Sequence, residues 1–468
     1  MLNQFVVILP EIMLTLLAMC MQVLAVCYTK YSQRILNITM LFMLCIIFYL
    51  VYWIPYPYYV SAFSDSFVAA SSFSSLKALV LAFTLMSLLI YSDLTKISKA
   101  SIKMEFSTLL LLSTVGIFVS ISAQDFIVLF CGLELQALAG YALAAFNTKE
   151  VKSSEAGLKY FILGALISGL MLLGMSFLYG FAGSLKFSDI NLALGSDAKI
   201  SIVVGIVFIL SAILFKLSAA PLHFWTPDVY EGSPISVVTY FSVAQKVGMV
   251  AVLLKIVHYV IADYTQISVD LLKIVAIFSM MVGALGAIGQ SSLKRLMAYS
   301  TILNIGYVLV AICLNSFDGY HAAFIYMVIY AVSVIGFFAC LIALFGKRSD
   351  NATFEDLKGV ANMRKTIAAA ISIIMFSMIG LPPLAGFFGK YYVFYNAVKQ
   401  GEITLAIFGV LTSVIAAFYY LKVIKYMYFM ESEGNITIIP THKGLFLVTS
   451  LSMAFILLFI IPASYYLV

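Results

Sequence analysis

The sequence predicts an all-α polytopic membrane protein of about fourteen transmembrane helices, and three observations predict it. Hydrophobic residues make up 63% of the 468-residue chain and charged residues only 10%, whereas a soluble domain carries about 25% charged residues. The apolar residues fall in long continuous runs, the pattern of helices that cross a bilayer, and not in the short alternating stretches of a β-barrel. Lysine and arginine are sorted between alternate loops: seventeen lie in one set, from Lys30 to Lys443, and four in the other, Lys186, Lys199, Lys273 and Lys399. That asymmetry is the positive-inside signal, and it places both termini on the non-cytoplasmic side. The net charge of +6 therefore follows topology. It gives no reason to expect a nucleic-acid partner; the bilayer is the partner that composition implies.

In chain order the spans run near 4–27, 35–54, 65–91, 106–122, 125–146, 158–180, 200–222, 234–258, 270–291, 296–315, 320–345, 366–398, 402–430 and 445–467. The first, in MLNQFVVILPEIMLTLL, lacks a basic n-region and a small-residue cleavage site, so it reads as a retained helix and not a signal peptide. All spans belong to one transmembrane domain. Residues 1–105 hold three N-terminal helices, 106–258 and 270–430 two five-helix units, and 445–467 a C-terminal helix. Spans 7 and 12 justify the two units. Span 7 carries Lys216 and then Pro221, and span 12 reads SMIGLPPLAGFFGKYYVF, with Pro382 and Pro383 before Lys390. Each is the fourth helix of its unit (spans 4–8 and 9–13). Broken helices at matching positions are the sign of a repeat around a midplane ion site, and an odd number of helices per unit makes the repeats inverted. The longest loop, 346–365, is polar and basic, with room for a short surface helix at most.

Ionisable residues inside spans carry the functional reading. Lys216 lies in SIVVGIVFILSAILFKLSAAPLHFW, with no acid among its sequence neighbours. A charged lysine at the bilayer centre costs roughly 3 kcal/mol on insertion scales, so packing alone seldom retains one. Pro221 cannot donate a backbone hydrogen bond, and freed carbonyls together with water can then solvate the lysine. Glu134, in FIVLFCGLELQALAGYALAAF, is the carboxylate of span 5. Its approach to a lysine favours the charged form of that lysine, and its withdrawal favours release of the proton. Lys246 in span 8 and Lys390 after the Pro382–Pro383 break are further stations. His223 adjoins the span 7 break and is a candidate relay. Lys159 stands near the cytoplasmic edge of span 6, where a lysine can snorkel. Lys77 has serines around it, and helix-to-helix hydrogen bonding fits it as well as transport does. Lys255 sits near the outer edge of its span and is expected to snorkel, and His258 and His321 lie toward the same side.

Other patterns read as packing. Cys20, Cys27, Cys45, Cys131, Cys313 and Cys340 all lie in apolar segments without a CxxC pair. They are expected to be small buried hydrophobes, and no iron–sulfur or other metal site is readable. GALGAIG at 283–289 has no strand before it and marks close helix contact, not a phosphate loop. Without a P-loop or dinucleotide motif, no nucleotide chemistry is assigned to this chain.

Four segments, EAGLKYFILGA, LFKLSAAPLHFWTPDVYEGSP, SSLKRLMAYSTILNIGYVLV and GLPPLAGFFGKYYVF, together make the chain resemble the antiporter-like membrane subunits of respiratory complex I, the NADH:quinone oxidoreductase, over nearly its whole length. Fourteen spans, the absence of a long C-terminal amphipathic extension and lysine instead of glutamate at position 390 single out one subunit type within that family. The resemblance implies that Glu134 pairs with Lys216, that Lys159 modulates the pair, and that Lys246 and Lys390 continue a proton path. No departure occurs at these five positions. It also implies FMN, iron–sulfur clusters and quinone in partner subunits, with no redox centre in this chain. The expected partners are antiporter-like and small membrane subunits and a peripheral redox arm, in a bacterial inner membrane. A subunit of a multi-component sodium/proton antiporter and a structural scaffold are the alternatives.

Overall fold

The computed structural model describes residues 2–28, 31–53, 59–195, 200–261, 266–431 and 442–461. Lys30, Lys199, the last residue of the second span and residues 462–467 of the fourteenth lie outside the described residues. The first span is the short helix α1 (Leu2–Val7) followed by α2 (Leu9–Cys27). Pro10 sits in the first turn of α2, where a missing N–H breaks no helical bond. Helix α3 (Ser32–Phe48) runs into a π-helical turn, Tyr49–Trp53. Before α4 (Ser71–Ile97) comes a hairpin that the hydropathy pattern did not separate, β1 (Val60–Ala62) paired antiparallel with β2 (Phe67–Ala69). Phe63, Ser64 and Asp65 make its turn with positive φ. Strand β2 is apolar and buried throughout, so residues 65–70 read as the start of a helix.

The chain continues through α5 (Met104–Ser122), α6 (Phe126–Ala144), α7 (Val151–Ala182), α8 (Phe187–Gly195) and α9 (Ile200–Leu217). Asp125 caps α6 by accepting from the Ile127 amide at 2.6 Å, which satisfies one orphaned donor. Gly183, with φ +75°, ends α7 in the left-handed conformation that glycine adopts freely. Next are α10 (Trp225–Gly232), α11 (Ile235–Ser242), α12 (Ala244–Ile256), α13 (Gln266–Ile288), α14 (Leu293–Cys313) and α15 (Phe317–Phe345). The 346–365 loop forms two 3-10 turns and the four-residue helix α16 (Val360–Met363). Then come α17 (Lys365–Ile379), α18 (Ala385–Lys399), α19 (Ile403–Phe429) and α20 (Lys443–Leu458).

Among the described residues twelve helices are long and apolar enough to cross a membrane, or thirteen if a pair bent by 120° at Arg364 counts as one. The sequence pattern shows fourteen apolar runs. The difference has two causes. Span 12 is broken into α17 and α18, fifteen residues each, and α20 has sixteen described residues.

The helices form two compact units. One comprises residues 1–88, 101–217 and 244–268; the other comprises 89–100, 218–243 and 269–468. In the first, α5 packs along α6, α7 along α9, and α12 against α5 and α9. Glycines permit the closest of these contacts. A Cβ on Gly116 of α5 would stand 2.5 Å from the Gln136 amide and the Gly132 carbonyl of α6, so the two backbones touch. In the second unit α15 is central, packed by α14, α17, α18 and α20. Gly283 of α13 lies against the Leu303 backbone of α14, where a Cβ would meet the Leu303 nitrogen at 2.4 Å; the GALGAIG segment is a packing element.

The cysteines correct one expectation. Cys313 and Cys340 are buried, but Cys20, Cys27, Cys45 and Cys131 are exposed. In a membrane protein the outward face is itself apolar, so hydrophobicity of a segment does not mark which of its residues point inward.

Candidate functional site: buried lysines at broken helices

In the first unit the site is built where α9 stops. The helix ends at Leu217, and Ser218 takes φ +66°. In a continued helix the carbonyls of Lys216 and Leu217 would accept from residues 220 and 221. The Ala220 amide instead donates to Ser279 Oγ at 2.8 Å, and Pro221 has no N–H. The Lys216 carbonyl is thereby released, and Lys246 Nζ donates to it at 2.8 Å. Lys246, on α12, is fully buried at 0% exposure. Lys216 itself is buried, and its Nζ donates to the Leu133 carbonyl on α6 at 3.2 Å.

Glu134, the next residue on α6, is half-buried and accepts a hydrogen bond from Ser168 Oγ of α7. Among the described residues no ion pair joins it to Lys216, which bonds the neighbouring Leu133 carbonyl instead. The pairing that the family resemblance implies is therefore open in this conformation, with the Leu133 carbonyl holding the lysine beside the carboxylate. Lys159, also on α7, is partly exposed and pairs with Glu155 one turn earlier at 2.7 Å.

In the second unit the same construction recurs at Lys390. Helix α17 ends at Ile379, and Gly380 turns left-handed with φ +94°. The helical donor to the Ile379 carbonyl would be residue 383, which is proline and has none. Lys390 Nζ donates to that carbonyl at 2.9 Å and to Ser413 Oγ at 2.7 Å, and lies 5.4 Å from the centre of the Tyr307 ring. Among the described residues no acid pairs with this buried lysine, which is held by a carbonyl, a hydroxyl and a π face. His223, also in this unit, stacks on Phe224 and has a buried Nδ1 with no hydrogen-bond partner among the described residues.

Two lysines outside these stations are placed more sharply by the structure than by the sequence. Lys77 forms a 2.5 Å ion pair with Glu11, both side chains under 5% exposed. Lys255 is 6% exposed and bonds two backbone carbonyls, so it does not snorkel. The partner side chains Ser168, Ser413 and Glu11 escaped the sequence reading. A carboxylate in the first turn of an apolar run, as in LPEIMLTLL, was the one available signal. No cluster of three metal-ligating side chains occurs among the described residues.

Fold and site together define a multi-span helical membrane protein in which lysines stand on carbonyls freed by helix breaks. A family profile described as "NADH:quinone oxidoreductase/Mrp antiporter, TM" matches residues 123–416. NADH-quinone oxidoreductase subunit N of Rickettsia bellii (strain RML369-C) is 54% identical over 455 residues, which are 96% of this chain and 98% of the relative. A chain of respiratory complex I from Thermus thermophilus with bound aureothin aligns with a TM-score of 0.81 at 26% identity, covering 97% of each chain. A chain of the membrane-bound sulfane sulfur reductase, an archaeal respiratory membrane complex, shares the fold with a TM-score of 0.84 at 22% identity, covering 99% of this chain and 94% of that one. The chain belongs to the NADH:quinone oxidoreductase/Mrp antiporter membrane-subunit family.

Proposed function

We propose that this chain translocates protons as a membrane subunit of an NADH:quinone oxidoreductase. The observation that carries the reading is the recurrent cradle: Lys246 on the Lys216 carbonyl and Lys390 on the Ile379 carbonyl, each buried and each beside a helix break. A buried ammonium held on backbone carbonyls is stabilised by their dipoles only in part, so a small change in field decides whether it keeps its proton. Glu134 supplies the change. When it leaves Ser168 and closes on Lys216, the charged lysine is favoured; when it withdraws, the proton passes on to Lys246 and, in functional order, to Lys390. Lys159 tunes Glu134 by its charge, and His223 relays protons near the span 7 break.

Redox energy reaches the chain from partner subunits, which hold FMN, iron–sulfur clusters and the quinone site; this chain holds no redox centre. The partners are other antiporter-like and small membrane subunits and the peripheral arm. Spans 4–8 and 9–13 act as inverted repeats, both termini lie outside the cytoplasm, and the membrane is a bacterial inner membrane. The near full-length 54% identity to a subunit N favours this reading over a sodium/proton antiporter subunit, which the shared family profile also accommodates.

The test is Lys216→Met in the assembled complex, reconstituted in proteoliposomes. Fewer protons should be pumped per NADH oxidised. An unchanged ratio would overturn the mechanism, and sodium-dependent transport by a complex that oxidises no NADH would move the chain to the antiporter class.

A further inference from the structure

A second buried charge cluster lies in the first unit, away from Glu134, Lys216 and Lys246. Glu11 of α2 and Lys77 of α4 are each 3% exposed and Lys255 of α12 is 6% exposed. Lys77 pairs with one Glu11 oxygen and lies over the rings of Phe67 and Phe118, at 5.4 and 5.7 Å. Lys255 lies over Phe73 and Phe187, at 5.1 and 5.6 Å, and donates to the carbonyls of Ile121, at 2.8 Å, and Ala123. Those carbonyls belong to the C-terminal end of α5, where helical donors have run out. Phe67 bridges to Ala123 through the backbone, so both lysines flank the same turn.

The inventory of charge and donors is uneven. Two lysines share one carboxylate, so full ionisation would bury an excess positive charge in a nonpolar setting. The cheapest arrangement keeps Lys77 paired with Glu11 and leaves Lys255 an amine. A neutral amine has two N–H donors, which match its two carbonyl acceptors, and one lone pair. Two buried oxygens at this place, Glu11 Oε2 and Ser122 Oγ, have no hydrogen-bond partner among the described residues. Buried polar atoms of this kind are ordinarily satisfied by water, the medium through which a proton would arrive.

We propose that Glu11, Lys77 and Lys255 form a second proton-holding site, in which Lys255 takes up and releases one proton while Glu11 and Lys77 stay paired. The proton adds to the Nζ lone pair as a third N–H bond and leaves as H⁺ with the pair returned to nitrogen. The site rests on the proton-translocating reading above. The competing role is structural: Lys255 as a cation that caps α5, which arginine would also perform.

The experiment uses the assembled complex with Lys255→Arg, which keeps a permanent charge and its donors, and Lys255→Gln, which keeps neutral donors; neither exchanges a proton near neutral pH. Lys216→Met serves as the reference for the translocation reading. The expected result is normal assembly with protons pumped per NADH reduced roughly two-fold or more in both Lys255 variants. Unchanged pumping in the Lys255 variants beside impaired Lys216→Met overturns this site alone. Unchanged pumping in all three overturns the parent reading as well. Loss of assembled complex in both Lys255 variants assigns the cluster to structure and likewise overturns the proposal.

Discussion

The Lys246 ammonium donates to the backbone carbonyl of Lys216 at 2.8 Å, so one buried lysine is held by the peptide of another. The bond exists because α9 ends there: the Ala220 amide that would have filled this carbonyl is turned to Ser279, and the following residue is proline. Lys390 stands on the Ile379 carbonyl by the same logic, with Pro383 as the missing donor. Each break thus does more than bend the helix: a turned amide at Ala220 and a proline at 383 leave a carbonyl unfilled, and that carbonyl becomes a site for a cation that would otherwise be too costly to bury.

Lys246 should separate stability from transport. Lys246→Met leaves the Lys216 carbonyl without its donor, a loss of about 1–3 kcal/mol, and removes the titratable group. Lys246→Gln retains an N–H donor but carries no exchangeable charge. We expect thermal denaturation of the purified complex to show the methionine variant destabilised and the glutamine variant closer to the parent. Proton pumping should fall in both. Retained pumping in Lys246→Gln would show that the side chain serves as a hydrogen-bond donor alone.

Gly380 tests the cradle of Lys390. Its φ of +94° strains any residue with a Cβ, and that Cβ would lie 3.2 Å from Lys390 Cδ. Gly380→Ala should cost about 1–3 kcal/mol and displace Lys390 from the Ile379 carbonyl. The expected outcome is a lower melting temperature together with reduced pumping, read on the assembled complex. Normal values of both would mean that the break tolerates a different backbone path.

Much of this site was legible in the sequence because a charge inside an apolar run is conspicuous. Lys216, Lys246 and Lys390 stood out for that reason, and the prolines near two of them pointed to broken helices. What each lysine touches was not legible. Their acceptors are backbone carbonyls, which carry no sequence signature, and hydroxyls such as Ser413 on a distant helix. The Glu11–Lys77 pair joins positions 66 residues apart, and no local periodicity reports such a contact. The β1–β2 hairpin was hidden because its second strand is buried throughout and continues an apolar run.

Gly132 fixes the position of the Leu133 carbonyl that receives Lys216. A Cβ at Gly132 would meet Ser120 Oγ at 2.6 Å and the Gly116 carbonyl at 2.8 Å, so Gly132→Ala must part α5 from α6. Overpacking of this kind costs about 1–3 kcal/mol. We expect less assembled complex and, in the fraction that assembles, slower pumping than the loss of stability alone explains. Parent-like assembly and pumping would show that the two helices have slack at this contact.

Lys159 offers the opposite case, a charged residue whose loss should hardly touch stability. It is partly exposed and paired with Glu155 across one helical turn, a geometry worth about 0.5 kcal/mol or less. Lys159→Ala should therefore leave assembly and melting temperature unchanged. A single charge on the helix that also carries Ser168 still biases the field at Glu134, and that bias is long-range enough to act without contact. The expected result is slowed pumping, smaller in extent than the effect of Lys216→Met, and weaker at high ionic strength because the partly exposed charge is screened there. Pumping indistinguishable from the parent at low salt would remove Lys159 from the proton path and leave it an ordinary surface ion pair.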